Sequence, residues 1–508
     1  MTRTWGPLIV AVGLFGVQMI LAGRYGIFRD EMYYVACGRH LALGYVDHPP
    51  LVALMARATT AVLGDSVRAL RVLPALCAAA TVLLGAELAR ALKGGPFAQL
   101  LAAVCIAVAP EYLGTFHILS MNCALPVCWT AAALLATRAV AHPDPASSEA
   151  RRDWLLFGVA CGVGLLAKHS TLAFGAALTV GLLASPQRSV LRTRGPWLGL
   201  AVAALLLLPN LIWQQLHGWP TLEFIHNAAT KKMAPMSAVA FIGAQIMDML
   251  PHTLPVWLAG IAWLLASSRT RDLRWLGIAF VAVFLMVLVG HGKPYYLAPA
   301  FPIAFAAGGV AIEGWVRSRA WRGVAIGALL SGGAVAAPLA LPVLSEPAFI
   351  RYSAALGANQ TGDEKHEKGL LPQFQADQHG WEAMATKVAA AYAALSPEEQ
   401  RVATLYGGNY GEAGALDYFG PRWGLPPAVS GHNAYFMWGP PGGGRGHVMI
   451  AVGDFECDDW SNVYARVEKV GETDDPYAMP YENHVPICVL RGLEQPLVQV
   501  WPRLRHYI

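Results

Sequence analysis

Acidic, basic and aromatic side chains occur together in two short motifs near the start of the chain. Residues 29–34 read RDEMYY, and residues 47–51 read DHPPL. A carboxylate can hold a sugar hydroxyl or take up a proton, a cation can hold a phosphate, and an aromatic ring can pack on a sugar face. The two motifs therefore suit a molecule that carries both a sugar and a phosphate.

Further groups of the same kinds recur in other polar links between apolar runs. Taken alone, the pair Asp30–Glu31 would be interpreted as an acidic helix start, because the helix dipole stabilises carboxylates there. The recurrence of acid, cation and ring in several links favours a binding site instead. In chain order the recurring groups are Lys168, His169, His217, Glu223, His226, His252, His291, Lys293, Tyr295 and Tyr296.

The elements that position these groups are membrane spans. Of 508 residues, 55% are hydrophobic and 14% are charged, against roughly 25% charged in an ordinary soluble domain. Apolar runs of helical pattern predict roughly eleven spans. The net charge of +4 forms no patch with interleaved aromatics, so we expect no nucleic-acid partner. The predicted spans are 7–22, 67–92, 97–116, 122–141, 154–167, 171–184, 197–213, 238–267, 275–290, 297–316 and 323–344.

Basic residues fall in alternate links, which predicts the orientation of the chain. The links that hold Arg90, Arg138, Arg188, Arg271 and Arg317 form one set, and we assign them to the cytoplasm together with the N-terminus. The opposite links, and everything after the last span, are then outside. The first outer loop, residues 23–66, is long and contains apolar helical pieces, so we expect it to lie along the membrane interface.

The composition changes after residue 344, which divides the chain into a membrane domain, 1–344, and a soluble outer domain, 345–508. Short β-like runs at 402–406, 447–452 and 487–490, with a helical pattern over 381–395, predict a small mixed α/β unit. The predicted fold class is thus an all-α polytopic membrane domain with an α/β domain in the periplasm or its equivalent. An oxidising compartment would allow a disulfide between Cys457 and Cys488.

The order and spacing of several motifs resemble the superfamily of protein O-mannosyltransferases and aminoarabinose transferases. The tail, with YGGNYGEAG at 406–414 and SGHNAY at 430–435, is similar to the outer domains of bacterial members. The resemblance implies a GT-C fold, a bacterial inner membrane location, and a sugar donor on undecaprenyl or dolichyl phosphate. In the membrane domain it is carried by the motifs RDExYY at 29–34, DHPPL at 47–51, GLLAKH at 164–169, PNLIW at 209–213 and KPYY at 293–296.

The resemblance also implies roles for individual residues. Asp30 matches the catalytic aspartate of the family and Glu31 its partner, so we expect Asp30 to be the general base. Asp47-His48 stands where relatives often carry an acidic residue and a lysine, so a phosphate-binding lysine is replaced by histidine, which Lys168, Lys293 or a metal could offset. The other expected substrate-binding residues are Tyr33, His169, Tyr295 and Tyr296.

The acceptor and a metal stay open at this stage. Lipid A, a glycan or a protein would each suit an envelope enzyme. Asp47, His48 and His252 are ligand types that a divalent metal would accept, but their spacing is not diagnostic, and such histidines are more often simple hydrogen-bonding residues. A lipid transporter or flippase would have a similar number of spans, although no internal repeat is visible. A non-catalytic envelope scaffold is the third alternative.

Overall fold

The chain forms two compact units, each assembled from three segments. The computed structural model describes residues 5–358, 365, 367–440, 442 and 445–508. The first unit consists of residues 1–22, 68–213 and 235–343, and the second of 23–67, 214–234 and 344–508. The last segment of the second unit begins beside the boundary predicted at residue 344. This unit also takes in the predicted first outer loop and the link 214–234.

The first unit is helical, and its helices lie where the apolar runs predicted them. Its α-helices are Gly6–Leu21, Val72–Ala91, Pro96–Val108, Pro110–Thr115, Leu125–Val140, Ser148–Ala167, Thr171–Leu183, Arg194–Leu216, Ala238–Asp248, Leu254–Ala266, Arg274–Val289, Phe301–Trp315 and Arg319–Ala340. Helix Arg194–Leu216 runs a few residues beyond the unit. Within the described residues, five helices are long and apolar enough to cross a membrane, or six if one bent pair is counted.

The single span predicted over 238–267 is not one continuous helix, because the chain bends there. Helices Ala238–Asp248 and Pro251–Ala266 meet at 91°. Leu250, between them, has a φ of 70°, and the following Pro251 has no backbone N–H to continue the helical ladder. A second break at Pro110 shortens the span predicted over 97–116.

Small residues let helices of this unit pack closely. A methyl group added at Gly260 would overlap the carbonyl of Ala304, and one added at Gly308 would overlap the carbonyl of Val256. Helices Leu254–Ala266 and Phe301–Trp315 therefore approach backbone to backbone. Between apolar helices in lipid, such close van der Waals packing replaces the hydrophobic driving force.

The second unit contains a mixed sheet flanked by helices. Within the described residues its five strands are β1 (Ala403–Gly407), β2 (Ala428–Val429), β3 (Val448–Val452), β4 (Tyr464–Glu472) and β5 (Pro486–Leu493), in the order β2-β1-β3-β5-β4. β1 is parallel to β2 and β3, whereas β5 is antiparallel to β3 and β4. The main helices of the unit are Arg29–Arg39, Leu51–Leu63, Pro220–Asn227, Glu346–Ala355, Trp381–Ala393, Tyr410–Phe419, Asn433–Trp438 and Leu497–Leu504.

The predicted mixed α/β character is confirmed, and β1, β3 and β5 lie at the predicted runs. β2 and β4 were not predicted. β4 is mostly exposed, so it lacks the apolar run that identified the others. Cys457 and Cys488 form a disulfide, as the sequence allowed, with their Cα atoms 5.8 Å apart. Helix Leu51–Leu63 confirms the helical piece predicted in the first outer loop.

Candidate active site

The RDEMYY motif forms the first turns of helix Arg29–Arg39. Glu31 is fully buried, and its Oε2 accepts a hydrogen bond from the backbone N–H of Phe28 at 2.9 Å. Glu31 therefore satisfies one of the free donors at the helix start. Of the acidic pair, Glu31 thus caps the start of the helix. Its neighbour Asp30 makes other contacts.

Asp30 is held by a tyrosine far away in sequence. The hydroxyl of Tyr410 donates a hydrogen bond to Asp30 Oδ1 at 2.8 Å. The Asp30 side chain is 29% exposed, whereas Tyr410 is buried. Arg29 Nε lies 3.9 Å from the same Asp30 oxygen. One oxygen of a partly exposed carboxylate is thus fixed by buried groups of the same unit.

Arg29 anchors the start of this helix to the rest of the second unit. Its backbone N–H donates to the carbonyl of Asp377 at 2.9 Å, and its Nη1 donates to the hydroxyl of Tyr481 at 3.0 Å. The guanidinium carbon lies 5.2 Å from the centre of the Tyr410 ring. Burial opposes the charge of Arg29, but Asp377 stabilises it, and the pKa stays well above its ordinary value.

The sheet explains why Tyr410 reaches Asp30. β1 ends at Gly407, and Tyr410 opens the following helix, Tyr410–Phe419. In open parallel sheets the crevice outside the carboxyl ends of the strands is the usual ligand site. Methyl groups at Gly411 and Gly414 would lie 2.6 Å from the Arg29 side chain and 3.2 Å from the backbone N of Tyr33. These two glycines let the helix pack directly on helix Arg29–Arg39.

Tyr33 and Asp47 form a second pair in the same unit. The Tyr33 hydroxyl donates to Asp47 Oδ1 at 2.7 Å and accepts a hydrogen bond from the backbone N–H of Ala434 at 3.2 Å. The Tyr33 ring lies 4.8 Å from that of Tyr410, centre to centre. Burial raises the pKa of Asp47, although His48 and the bond from Tyr33 work against this. Tyr33, Asp47 and Tyr410 thus form one connected cluster.

His48 lies inside an aromatic cage. It is fully buried, with its Nδ1 2.8 Å from the carbonyl oxygen of Pro49. Its ring stacks on Tyr45 at 4.6 Å and meets Tyr34 edge-on at 5.1 Å, centre to centre. The Nε2 atom has no hydrogen-bond partner among the described residues. Nε2 is therefore the ring nitrogen that is left for a further partner.

In the first unit, a separate cluster contains most of the other predicted residues. Lys168 Nζ donates to Asn122 Oδ1 at 2.9 Å and lies 4.2 Å from the ring centre of Tyr296 and 5.1 Å from that of Tyr295. Lys293 Nζ lies 6.0 Å from the Tyr295 ring centre. Two cations and two phenol rings are thus brought together from links far apart in sequence.

Lys168 follows helix Ser148–Ala167, in the short link before the next helix. Burial, followed by the charge of Lys293, lowers the pKa of Lys168 to about 7, and Glu111 opposes the shift. The cluster borders a small cavity, which Glu111 and Ser170 also line. Its volume is about 10 Å³, enough for about one water molecule.

The two remaining predicted residues of this unit have different neighbours. His169 Nε2 lies 3.0 Å from Asn210 Oδ1, which joins the GLLAKH motif to the PNLIW motif. His252 is exposed and packs against Gly332, where a methyl group would lie 2.5 Å from its Nδ1. Within the described residues, no group of three His, Cys, Asp or Glu side chains is placed to hold a metal ion. The predicted set Asp47, His48 and His252 therefore gains no support.

Comparison with known proteins finds a family and a fold that parts of this chain resemble. Residues 47–213 match the family described as dolichyl-phosphate-mannose-protein mannosyltransferase. The crystal structure of ArnT from Cupriavidus metallidurans bound to undecaprenyl phosphate shares the fold, with a TM-score of 0.62 at 18% identity over 96% of this chain and 98% of that one. The chain thus has the fold of this ArnT, and about a third of it matches the family model. The predicted resemblance and the predicted fold class are confirmed.

A second comparison with the same relative agrees on the fold. The apo structure of the same ArnT gives a TM-score of 0.60 at 18% identity, over 95% of this chain and 97% of that one. An oligosaccharyltransferase from Archaeoglobus fulgidus gives 0.49 at 13% identity, over 79% of this chain and 59% of that one. A search of curated protein sequences found no match.

Sequence reasoning missed several residues of the Asp30 cluster. Tyr410 was noted only as part of a glycine-rich motif, and Tyr435, whose ring lies 6.2 Å from that of Tyr33, was not singled out as a site residue. A usable signal existed. β1 was predicted, and a polar or aromatic residue just beyond the carboxyl end of a parallel strand is a candidate site residue. Asn122, the partner of Lys168, had no comparable signal.

Proposed function

We propose that this protein is a glycosyltransferase of the GT-C class, which moves a sugar from a polyprenyl-phosphate carrier to an acceptor in the cell envelope, with Asp30 as the general base. The reaction would take place at the outer face of a bacterial inner membrane, with the N-terminus in the cytoplasm and the second unit outside. The acceptor would be a lipid, a glycan or a protein that presents a hydroxyl group.

The observation that carries the proposal is the state of Asp30. Its carboxylate is partly exposed in a unit where the neighbouring tyrosines are buried, and one of its oxygens is fixed by Tyr410. Glu31 accepts the hydrogen bond from the backbone N–H of Phe28 that caps the start of this helix. Asp30 therefore combines a fixed orientation with an accessible carboxylate, which is what a general base requires.

The step is a displacement at the anomeric carbon. As the acceptor oxygen forms its bond to this carbon, its proton passes to the Asp30 carboxylate. The bond between the anomeric carbon and the phosphate oxygen breaks, and polyprenyl phosphate leaves with the electron pair. A positioned carboxylate typically contributes about 10²- to 10⁴-fold in rate to such a proton transfer. The leaving phosphate needs no proton, because it is already a good leaving group.

Lys168 and Lys293 are the candidates to hold the carrier phosphate, with Tyr295 and Tyr296 packing on the sugar or the prenyl chain. Their four side chains are grouped in the first unit, where Asn122 fixes Lys168. The ArnT structure with undecaprenyl phosphate supports this donor class for a chain of the same fold. His48 is fully buried, so we assign it a packing role beside Tyr33. Phosphate binding is assigned to the two lysines.

Replacement of Asp30 by asparagine tests the base. Asp30→Asn keeps the size of the side chain and one acceptor oxygen for Tyr410, so we expect intact folding and donor binding but transfer reduced by at least about 100-fold. Asp65→Asn is the matched control, because Asp65 is exposed in the same unit. The measurement is turnover of a polyprenyl-phosphate sugar by purified protein.

Two results would contradict the proposal. If Asp30 only begins a helix, Asp30→Asn should keep most of its activity and Asp30→Ala should lose about 1 kcal/mol of stability. Retained turnover in Asp30→Asn would place the base elsewhere or identify the acceptor nucleophile as an anion. Transfer from a nucleotide sugar in the absence of any prenyl lipid would overturn the donor class.

A further inference from the structure

The link between the last two helices of the first unit carries a surface groove. Helix Phe301–Trp315 ends and helix Arg319–Ala340 begins within four residues. The groove between them has a volume of about 500 Å³, inside the range of roughly 300–1,000 Å³ that is usual for small-molecule sites. Its walls include Trp315, Trp321 and Val324.

Two large aromatic side chains of this groove are unusually open. Trp315 is 65% exposed and Trp321 is 67% exposed. Tryptophan is enriched at membrane interfaces, where its ring lies at the level of the lipid headgroups. The groove is therefore placed by its own residues at the boundary between the bilayer and water.

The link is held in place by one of its three arginines. Arg322 donates from Nε to the carbonyl of Val316 at 2.8 Å and from Nη2 to the carbonyl of Glu313 at 3.0 Å. Its guanidinium also lies 4.9 Å from the ring centre of Phe97. Glu313 in turn accepts a hydrogen bond from the backbone N–H of Phe97 at 3.0 Å. The guanidinium of Arg322 is thus occupied by contacts within the protein.

The other two arginines of this link differ from Arg322 in their contacts. Arg317 lines the groove and Arg319 follows two residues later, and both are exposed. Within the described part of the chain, neither side chain has a hydrogen bond or ion pair, in contrast to Arg322. Two unpaired cations thus stand beside an apolar groove, on a link that Arg322 already fixes.

We propose that this groove binds an anionic membrane phospholipid. Arg317 and Arg319 would hold the headgroup phosphate, Ser318 would donate a hydrogen bond to it, and Trp315, Trp321 and Val324 would pack on the glycerol and the start of the acyl chains. Basic pockets between transmembrane helices on the cytoplasmic side characteristically bind anionic headgroups. The distribution of basic links predicts that this link faces the cytoplasm, away from the outer face to which the transfer reaction is assigned.

Charge complementarity identifies the occupant. A zwitterionic headgroup would place its own ammonium beside Arg317 and Arg319, which weakens the attraction. A soluble phosphate would use the arginines but not the tryptophans. An anionic phospholipid uses both halves of the groove.

Lipid binding to the purified full-length protein tests the inference. Native mass spectrometry would count bound phosphatidylglycerol and phosphatidylcholine added separately to the detergent-solubilised protein, with inorganic phosphate as a third probe. We expect phosphatidylglycerol to bind preferentially and the double variant Arg317→Gln/Arg319→Gln to weaken that binding about 10- to 30-fold. Arg269→Gln/Arg271→Gln is the matched control, because it removes two exposed arginines from another basic link.

Each outcome decides for or against the site. Selective loss in Arg317→Gln/Arg319→Gln, with a smaller loss in Trp321→Ala and none in the control, would support it. Equal binding of the two lipids would overturn it, as would equal losses in both double variants, since those results describe a general membrane surface. Binding of inorganic phosphate that matches the lipid would exclude the apolar half of the site. Both arginines are exposed, so the variants are expected to fold, and a melting curve checks this.

Discussion

The Tyr410 hydroxyl donates a 2.8 Å hydrogen bond to Asp30, 380 residues earlier in the chain. The two side chains come from the first turns of helices Arg29–Arg39 and Tyr410–Phe419, which pack directly because Gly411 and Gly414 lack side chains. The bond fixes one oxygen of a partly exposed carboxylate. The tail of the chain therefore contributes to the geometry of a motif near its beginning.

Removal of this hydroxyl should reduce transfer. Tyr410→Phe keeps the ring packed against Tyr33 but releases Asp30, so we expect kcat to fall by about ten-fold, since a hydrogen bond to a charged group is worth roughly 1.5 kcal/mol or more. The KM for the donor should change little, because Tyr410 orients Asp30 and does not hold the carrier. Steady-state kinetics with a polyprenyl-phosphate sugar measures both constants.

Tyr464→Phe provides the comparison. The Tyr464 hydroxyl donates to the carbonyl of Gly446 in the same unit, so this variant also loses one buried hydrogen bond but leaves Asp30 untouched. A kcat loss of equal size in both variants would show that Tyr410 supports only the stability of the unit.

The membrane helices were predictable because each apolar run carries its own signal. A run of about 20 apolar residues has few alternatives to a span. Helices form at the predicted runs, although within the described residues only five, or six with the bent pair, are long and apolar enough to cross a membrane. The bend at Leu250-Pro251 was not predicted, although a proline inside an apolar run is a helix-breaking signal. The sheet of the second unit was only partly predictable, because strand β4 is largely exposed and lacks an apolar pattern.

The candidate site was predictable to the extent that its residues lie in motifs. Asp30, Tyr33 and Asp47 share one segment, and their clustering in the structure follows from local helix geometry and one short loop. The contact of Asp30 with Tyr410 depends on a sheet whose strand order cannot be read from the sequence. Lys168 and Tyr296 could be chosen by residue type, but their 4.2 Å approach depends on how distant helices pack.

A buried pair of carboxyl groups should make the second unit sensitive to pH. Glu412 accepts from the backbone N–H of Asn409, and Glu482 accepts from the side-chain N–H of the same residue, both at 2.9 Å. Burial raises the pKa of Glu482 to about 7, and burial together with Glu482 raises that of Glu412. The two groups therefore resist being ionised together.

The direction of the pH effect follows from these shifts. A folded state that binds a proton more tightly than the unfolded state is favoured at low pH. The contribution of this pair to stability should be greatest below pH 4.5, the ordinary pKa of glutamate, and should decline as the pH rises through about 7. We expect the melting temperature of the second unit to fall by several degrees between pH 5.5 and pH 8. The reason is that the folded carboxyl pair holds roughly one proton that the unfolded chain has lost.

Glu482→Gln should flatten this dependence, because the amide stays neutral at every pH. Glu494→Gln is the control, since Glu494 is exposed in the same unit. Thermal melts of the purified protein between pH 5.5 and pH 8 provide the measurement. An unchanged slope in Glu482→Gln would mean that the pair does not share a proton.

Titration of Lys168 should weaken carrier binding as the pH rises, which is opposite to the effect of titrating the phosphate. Its pKa is lowered to about 7, and a bound phosphate would favour the charged lysine, so binding would take up a proton above that pH. Affinity for undecaprenyl phosphate should therefore fall above pH 7, approaching ten-fold per pH unit. The phosphate itself gains charge as the pH rises through about 6, which would strengthen binding instead.

Lys168→Arg isolates the lysine, because a guanidinium stays charged throughout this range. We expect weaker but pH-independent binding in this variant, measured by titration of purified protein between pH 6.5 and pH 8.5. A fall in affinity that persists in Lys168→Arg would assign the titration to another group.

The final prediction concerns orientation in the membrane. Alternating basic links predict that the link 186–192 is cytoplasmic and that helix Trp381–Ala393 is outside. Ser189 and Ala390 are both exposed, so Ser189→Cys and Ala390→Cys form a matched pair. In intact cells, with the outer side accessible, a membrane-impermeant maleimide should label Ala390→Cys and reach Ser189→Cys only after permeabilisation. The unaltered protein gives the background, which should be low because its free cysteines are buried except for the partly buried Cys77. Labelling of Ser189→Cys but not Ala390→Cys in intact cells would invert the topology and move the transfer reaction to the cytoplasmic face.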